Sequence, residues 1–313
     1  MPEAPPPLAL GAMNFGKRTD AKESERIVRR ALERGITVFD TANSYNGGES
    51  ERLLGRALGA DRERVIVSTK AGIGLDPTRR EGLSRQTLES ALKASLDRLG
   101  TNRVDIYYLH LPDRKTPIEK TLDGVAELVE SGRVIAWGAS NYASWELLEM
   151  RALAEGRGLA PPVITQLLYN VLHRQLEVEY FAFARRYPIH TTAYNALAGG
   201  LLSGKHSFDA SAEKGSRFDD NPMYRRRYWS REMFARVEQV AQVARDEGCT
   251  PVQLAYAWLA AQPDVDSILV GPGTVEHLDD AIDGVERTLS PDAAGKLDAL
   301  ARDWSGSDTN YVR

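Results

Sequence analysis

The sequence lacks the cysteines and long apolar runs that mark several classes of protein. Among 313 residues there is a single cysteine, Cys249, which excludes intramolecular disulfides and cysteine-based metal or iron–sulfur centres. No stretch reaches the ~20 apolar residues that a membrane span requires. Residues 1–7 have neither the basic nor the apolar region of a signal peptide. We therefore predict a cytoplasmic protein with no membrane segment and no metal site.

The chain also lacks a strong charge of either sign. It contains 40 Lys and Arg against 44 Asp and Glu, a formal net charge of −4, and its densest basic run is the short segment 225–227. Proteins that bind nucleic acid carry extended basic patches, so we predict no nucleic-acid partner. A hydrophobic fraction of 42% and a charged fraction of 27% are ordinary for a globular protein.

Short apolar runs alternate with amphipathic stretches along most of the chain. The runs predict strands at residues 8–13, 37–42, 65–70, 104–110, 134–140, 163–166, 189–194 and 267–270. The stretches predict helices at residues 20–34, 49–58, 84–99, 117–130, 144–155, 176–187, 231–247, 251–261 and 275–285, with one more from 290. Eight alternating units close into a barrel. The alternative, an open doubly wound sheet, usually carries a glycine fingerprint that residues 11–16 do not match.

We accordingly predict a single (β/α)8 TIM-barrel domain over residues 1–313. One stretch departs from the alternation of strands and helices. Residues 196–222 are rich in Gly, Ser, Asp and Asn and show little periodicity. Structureless loops of that length are uncommon in compact domains unless they are functional. We predict one long functional loop there.

Ionisable side chains end several of the predicted strands. The active site of a TIM barrel lies at the carboxyl ends of its strands. Asp40, Lys70 and His110 each end a predicted strand, and Tyr45 follows Asp40 in the next loop. Each of them alone has an ordinary explanation, such as a helix cap, a solvated lysine or a core histidine. Together at one barrel mouth they predict an active site.

These groups suit the donation of a proton to an oxygen. A free phenol has a pKa of ~10, and we expect Lys70, held by Asp40, to lower the pKa of Tyr45. His110 can orient a substrate oxygen through a hydrogen bond. The set has no nucleophile–base pair, so it predicts carbonyl reduction with hydride from a bound cofactor. The alternative is a lyase with Lys70 as a Schiff-base amine, which Asp40 disfavours by keeping Lys70 protonated.

The motifs that carry these residues resemble those of the aldo-keto reductases. The catalytic motifs are at 40–45, 68–70 and 109–113, and the cofactor segments are at 138–141 and 194–205. Residues 10–13, 169–170, 226–229 and 310–313 resemble the branch of aflatoxin-aldehyde and succinic-semialdehyde reductases. The resemblance implies a homodimeric, NADPH-dependent reductase of aldehydes. It makes Tyr45 the proton donor, supported by Asp40 and Lys70, with His110 orienting the carbonyl.

The resemblance also implies a cofactor site and a substrate site. The implied cofactor residues are Asp40; Ser140, Asn141 and Gln166 on the carboxamide; Tyr194 on the nicotinamide ring; Asn195, Leu197, Gly199, Gly200, Leu201, Ser203 and Lys205 around the pyrophosphate; Arg217; and Gly273, Thr274 and His277 at the adenosine end. The implied substrate residues are His110, Tyr224, Arg227 and Arg313, the last on a C-terminal tail that closes the pocket. A guanidinium suits a carboxylate, so a semialdehyde with a distal carboxylate, or a dialdehyde, is the expected substrate.

Two questions stay open at this point. Many reductases of the family have a basic residue where Gly273 stands, so the sequence leaves NADH open beside NADPH. Thr274 and the backbone N–H groups of the following helix are the alternative phosphate ligands. Some proteins of this fold bind NADPH and regulate potassium channels as β subunits; the presence of all four catalytic groups favours an enzyme.

Overall fold

The computed structural model describes residues 7–76, 80–219 and 221–306, and it shows a closed barrel of eight parallel strands. The strands are β1 (Leu8–Gly11), β2 (Val38–Asp40), β3 (Ile66–Ala71), β4 (Val104–Leu109), β5 (Val134–Ser140), β6 (Ile164–Leu168), β7 (His190–Tyr194) and β8 (Ser267–Val270). Each strand pairs with the next, and β8 pairs with β1. The predicted (β/α)8 barrel is confirmed.

Helices connect the strands and cover the outside of the barrel. In the described ranges they are α1 (Ala21–Glu33), α2 (Glu49–Leu58), α3 (Arg85–Leu99), α4 (Ile118–Glu130), α5 (Ser144–Glu155), α6 (Tyr180–Arg186), α7 (Pro222–Tyr228), α8 (Arg231–Asp246), α9 (Pro251–Ala260), α10 (Val275–Glu286) and α11 (Pro291–Ser305). The ends of α3 show why they form where they do. The Ser84 side chain accepts a hydrogen bond from the Thr87 N–H, and Gly100 ends the helix with a φ of 66°. None of the described helices is long and apolar enough to cross a membrane.

The strands are buried on both faces. Outward-facing Phe39, Val67, Tyr107 and Trp137 are almost wholly buried beneath the helices. A parallel sheet covered by helices requires apolar side chains on that face, which explains the nearly continuous apolar runs in the sequence. The main core therefore lies between the barrel and its ring of helices.

The region predicted as one long loop is partly helical. A 3-10 helix spans Ala198–Ser203, and α7 begins at Pro222. The prediction of one long loop over 196–222 is therefore wrong at residues 198–203 and at 222, whereas the described residues between 204 and 221 contain no helix or strand. Its glycines, which favour loops, supply here the positive φ angles of 74° at Gly199 and 99° at Gly200. Helix α7, with 7 residues, is too short to produce a periodic pattern.

A second difference concerns the helix predicted at residues 176–187. The structure divides this region into a 3-10 turn, Gln175–Glu177, and the helix α6. Glu179, between them, has φ −149° and ψ −28°, which is not helical. A local break in backbone geometry of this kind leaves the apolar spacing almost unchanged, so the sequence pattern runs through it.

Strand register places the predicted site residues inside one end of the barrel. Side chains alternate between the two faces of a strand. Asp40 pairs with Ser68 across β2 and β3, and Ser140 pairs with Gln166 across β5 and β6. Because all strands run in the same direction, their carboxyl ends meet at a single mouth. The side chains of the site converge for that reason.

Candidate active site

A buried ion pair lies at the barrel mouth. Lys70 Nζ donates to Asp40 Oδ1 and, at 2.7 Å, to the carbonyl oxygen of Thr41. The other carboxylate oxygen of Asp40 accepts from Ser68 Oγ at 2.6 Å and from Gln166 Nε2 at 3.2 Å. Burial lowers the pKa of Lys70, and the charge of Asp40 opposes that change. Since buried charges are costly unless paired, these contacts hold both side chains in one arrangement.

Tyr45 and His110 lie beside this pair. Lys70 Nζ is 5.2 Å from the centroid of the Tyr45 ring. The rings of Tyr45 and His110 meet edge to face, with centroids 5.8 Å apart and planes at 82°. The structure thus brings together the four side chains predicted from widely separated strand ends.

The expected fall in the pKa of Tyr45 is wrong. Burial raises the pKa of Tyr45 above its ordinary value, and the negative charge of Asp40 raises it further, while Arg217 lowers it. Lys70 cannot dominate because its ammonium is already bonded to Asp40. The phenol therefore keeps its proton. It remains a competent acid toward an alkoxide, because an alkoxide is a stronger base than a phenolate.

His110 is a neutral imidazole. Burial lowers its pKa well below the ordinary value, and the positive charges of Lys70 and Arg80 act in the same direction. Its Nδ1 is buried without a hydrogen-bond partner among the residues that the structure describes. A neutral imidazole still offers one N–H donor, which is what a substrate carbonyl oxygen needs from it.

Amide and hydroxyl groups at the ends of β5, β6 and β7 continue the site. Ser140 Oγ donates to the Gln166 carbonyl oxygen at 2.8 Å, and Asn141 Nδ2 donates to the His110 carbonyl oxygen at 3.1 Å. The Tyr194 hydroxyl donates to Asn141 Oδ1 at 2.7 Å. This set of donors and acceptors, side by side at the mouth, fits the carboxamide of a nicotinamide.

The glycine-rich turn after β7 fits an approaching phosphate. Asn195 Oδ1 accepts from the Gly199 N–H at 2.7 Å and so holds the turn. A Cβ at Gly199 would lie 2.7 Å from the Tyr224 ring, so only glycine fits there. No atom of the described residues lies within 4 Å of a Cβ built at Gly200, which leaves the backbone open to them on that side. Close approach to backbone is the usual reason for glycines in phosphate loops.

The other residues predicted in this turn differ in their surroundings. Leu201 is buried, and Leu197 immediately precedes the 3-10 helix. Ser203 Oγ donates to the Gly200 carbonyl oxygen at 2.7 Å. Lys205 Nζ lies 3.6 Å from a carboxylate oxygen of Glu213. The turn itself is well formed, while Lys205 lies on its exposed margin.

Arginines surround Tyr224. The Cζ atoms of Arg217 and Arg227 lie 5.5 and 5.8 Å from the centroid of its ring. Arg18 contacts Ser216, the neighbour of Arg217, and burial together with the charge of Arg217 lowers the pKa of Arg18 to about 10. Arg18 donates to a backbone carbonyl at 2.6 Å, and Arg217 donates to the Asn14 amide at 2.9 Å. Neither forms an ion pair within the described ranges, so this cluster is suited to an anion.

Arg227 also lies close to Tyr194. Burial raises the pKa of Tyr194 to about 12, and the charge of Arg227 opposes that rise. Arg227 is therefore close to both Tyr224 and Tyr194. Arg313 and the tail 307–313 lie outside the described residues, so the role of Arg313 and the closing of the pocket stay predictions.

A carboxylate on α1 contacts the start of α10, just after the loop that follows β8, and the sequence patterns did not reveal it. Thr274 caps α10 by accepting from the His277 N–H at 3.4 Å. The neighbouring Val275 N–H donates to Glu23 Oε1, on α1, at 2.9 Å. Glu23 thus places a negative charge at a helix N-terminus, where a phosphate would otherwise be favoured. Gly273 adds no side chain to oppose it.

The mouth of the eight-stranded barrel brings together a phenol, an imidazole and a buried lysine–aspartate pair. This arrangement is typical of an enzyme that uses acid–base chemistry. Comparison with known proteins identifies the family. The model of the aldo/keto reductase family matches residues 7–302. The chain belongs to the aldo/keto reductase family, and it is an oxidoreductase.

The similar proteins confirm the predicted branch. Human aldo-keto reductase family 7 member A3 is 36% identical, with 96% of this chain and 94% of that protein covered. Human aflatoxin B1 aldehyde reductase member 2 is 36% identical, with coverages of 97% and 89%. A probable voltage-gated potassium channel subunit beta from Arabidopsis thaliana is 31% identical, with coverages of 94% and 92%.

Proposed function

We propose that this protein is an NADPH-dependent aldehyde reductase in which Tyr45 supplies the proton. The observation that carries the proposal is the contact of Tyr45 with both His110 and the Lys70–Asp40 pair at the carboxyl ends of the strands. Similarity to proteins named aldehyde reductases supports it. A cytoplasmic location and a homodimer stay predictions of the same proposal.

The residues at the barrel mouth have separate roles in carbonyl reduction. When bound, the nicotinamide supplies a hydride to the carbonyl carbon. Ser140, Asn141 and Gln166 would hold its carboxamide, and Tyr194 would lie against its ring. The buried mouth excludes water around the reacting carbonyl, which strengthens every hydrogen bond to its oxygen.

Tyr45 and His110 act on that oxygen. His110 donates a hydrogen bond and orients the carbonyl, and the neutral state of its imidazole leaves the proton transfer to Tyr45. As negative charge develops on the oxygen, the Tyr45 O–H bond breaks and the proton moves to the oxygen, giving the alcohol. The phenolate that remains faces the Lys70 ammonium, whose position Asp40 maintains.

A carboxylate on the substrate would meet Arg227 and Tyr224. Arg227 is partly buried and forms no ion pair among the residues described, so its guanidinium has donors available. The preferred substrates are therefore aldehydes with a distal carboxylate, or dialdehydes. Arg313 belongs to this part of the proposal.

Steady-state loss of NADPH absorbance, measured with aldehydes that carry or lack a terminal carboxylate, tests the function. Arg227→Ala should raise KM for the carboxylate-bearing aldehydes about tenfold and leave the neutral ones nearly unchanged. Arg226→Ala removes the same charge from the adjacent, exposed position and serves as the control. Equal effects on both aldehyde classes would remove the substrate role of Arg227.

A second candidate is a cofactor-binding regulatory subunit with little turnover. The similarity to plant proteins named as probable potassium channel subunits favours it. The complete set of Asp40, Tyr45, Lys70 and His110 favours the enzyme. Tight binding of NADPH without turnover of any aldehyde in the panel would support the regulatory function instead.

A further inference from the structure

We propose that Asn14 is a positioning residue that holds Arg217 and the loop after β8 in place for the cofactor. The proposal rests on the proposed function, since it concerns the same nicotinamide cofactor. Asn14 lies in the loop between β1 and α1, residues 12–20, here named the β1 loop. This loop touches three separate parts of the site.

The amide of Asn14 joins two of these parts directly. Its Nδ2 donates to the carbonyl oxygens of Gly271 and Pro272 at 2.9 and 3.1 Å. Its Oδ1 accepts from Arg217 Nη2 at 2.9 Å. Asn14 is only 6% exposed, so these partners are not replaced by solvent. A side-chain amide of this length is needed because it donates and accepts at adjacent atoms.

Two other residues of the β1 loop contact the same two segments as Asn14. Arg18 Nη2 donates to the Ser216 carbonyl oxygen at 2.6 Å, next to Arg217. Thr19 Oγ1 donates to the Gly273 carbonyl oxygen at 3.0 Å, in the loop after β8. The β1 loop therefore holds both segments at two points each, which restricts rotation as well as separation.

The third part is the turn that carries Tyr45. Asn46 Nδ2 donates to the carbonyl oxygens of Met13 and Phe15 at 3.0 and 2.6 Å. Ser50 Oγ donates to the Ala12 carbonyl oxygen at 2.7 Å. The catalytic turn and the two cofactor segments are thus bonded to one loop. The contacts of Asn14 serve the cofactor, whereas those of Asn46 and Ser50 serve Tyr45.

A neutral residue at position 14 also preserves the charge of the arginine cluster. Arg217 and Arg18 repel each other, and each is stabilised by an uncharged oxygen. A carboxylate at this position would bind Arg217 more tightly but cancel its charge. The amide orients the guanidinium and leaves its positive charge for a phosphate.

The test is a double-mutant cycle on cofactor affinity. The Kd for NADPH is measured by quenching of protein fluorescence in the parent, Asn14→Ala, Arg217→Ala and the double variant. Asn14→Ala should weaken binding about tenfold in the parent and about threefold when Arg217 is already absent, because the bonds to Gly271 and Pro272 are lost in both backgrounds. Its kcat at saturating cofactor should change less than about threefold, because Tyr45 keeps its own contacts to the β1 loop.

Two further variants separate positioning from general loosening. Thr19→Val removes only the bond to the Gly273 carbonyl, so its effect on Kd should be the same with and without Arg217. Lys17→Ala removes a charge from an exposed position of the β1 loop and should leave Kd unchanged. If Asn14→Ala does not fold, Asn14→Ser replaces it in the cycle, since a hydroxyl cannot span both segments.

The outcomes distinguish the two proposals. A parent protein that does not bind NADPH would overturn the proposed function. A parent that binds NADPH, with an Asn14→Ala effect equally large in both backgrounds, would overturn only the positioning role of Asn14. A loss of kcat matching the loss of affinity would also overturn it, because the effect would then reach the catalytic turn.

Discussion

The reactive end and the adenosine end of the proposed cofactor site are built in different ways. At the reactive end, Asp40 and Lys70 project inward from the ends of neighbouring strands and are buried and mutually bonded. At the adenosine end, Gly273 offers no side chain, and Glu23 reaches across from α1 to the Val275 N–H. Strand register fixes the first set, whereas loop contacts assemble the second. Substitutions at the reactive end should therefore strongly reduce catalysis, whereas substitutions at the adenosine end should change only the preference between NADPH and NADH.

The largest expected effect is at the reactive end. Tyr45→Phe removes the proposed proton donor and should reduce kcat by about 1,000-fold, within the range of general acid catalysis. The fold and the Kd for NADPH should be retained, because the ring and its packing remain. Tyr187→Phe, a hydroxyl removed at the end of α6, is the matched control. Turnover by Tyr45→Phe at the parent rate would mean that another group donates the proton.

Lys70→Met should have the next largest effect. The loss of the ammonium should reduce kcat about 100-fold by leaving the phenolate of Tyr45 unsupported. It should also lower the free energy of unfolding by about 3 kcal/mol, because Asp40 is left buried and unpaired. Urea unfolding compares it with Asp40→Asn and with the double variant. If the pair acts as a unit, the double variant is more stable than Lys70→Met alone.

A smaller effect is expected at the adenosine end. Glu23→Gln keeps the hydrogen bond to the Val275 N–H but removes the negative charge from the α10 N-terminus. The affinity for NADPH relative to NADH should rise about threefold, the size of a helix-terminal charge effect. Direct binding measurements with both cofactors check this, with Glu25→Gln on the exposed face of α1 as control. An unchanged ratio would place the 2′-phosphate elsewhere.

The smallest effect concerns pH. Because burial lowers the pKa of His110, its imidazole should stay neutral as the pH falls through the ordinary value of 6.5. We expect kcat/KM to vary less than about twofold between pH 8 and 6. Below pH 6.5 the unfolded chain binds a proton at this histidine and the native protein does not. The free energy of unfolding should therefore decrease as the pH is lowered below 6.5. A loss of kcat/KM centred near 6.5 would contradict a neutral His110.

The strand ends and the contacts between loops differ in how far the sequence predicts them. The strand ends at Asp40, Lys70 and His110 were predictable because apolar runs and their polar ends are local in the sequence. Asn14, Arg18 and Glu23 were not, since their partners at Gly271, Ser216 and Val275 lie more than 190 positions away. No local pattern distinguishes such residues from ordinary surface polar groups.

The amino-acid sequence by itself determined the barrel, the order of its strands and the identity of the groups at its mouth. Alternating hydrophobic patterns encode these features, because burial along a strand or helix repeats with the period of that element. The tertiary structure alone decided the protonation of Tyr45, the carboxylate at the α10 N-terminus and the bridging role of the β1 loop. Each of these depends on burial or on distances between segments remote in the chain, and both exist only once the barrel has closed.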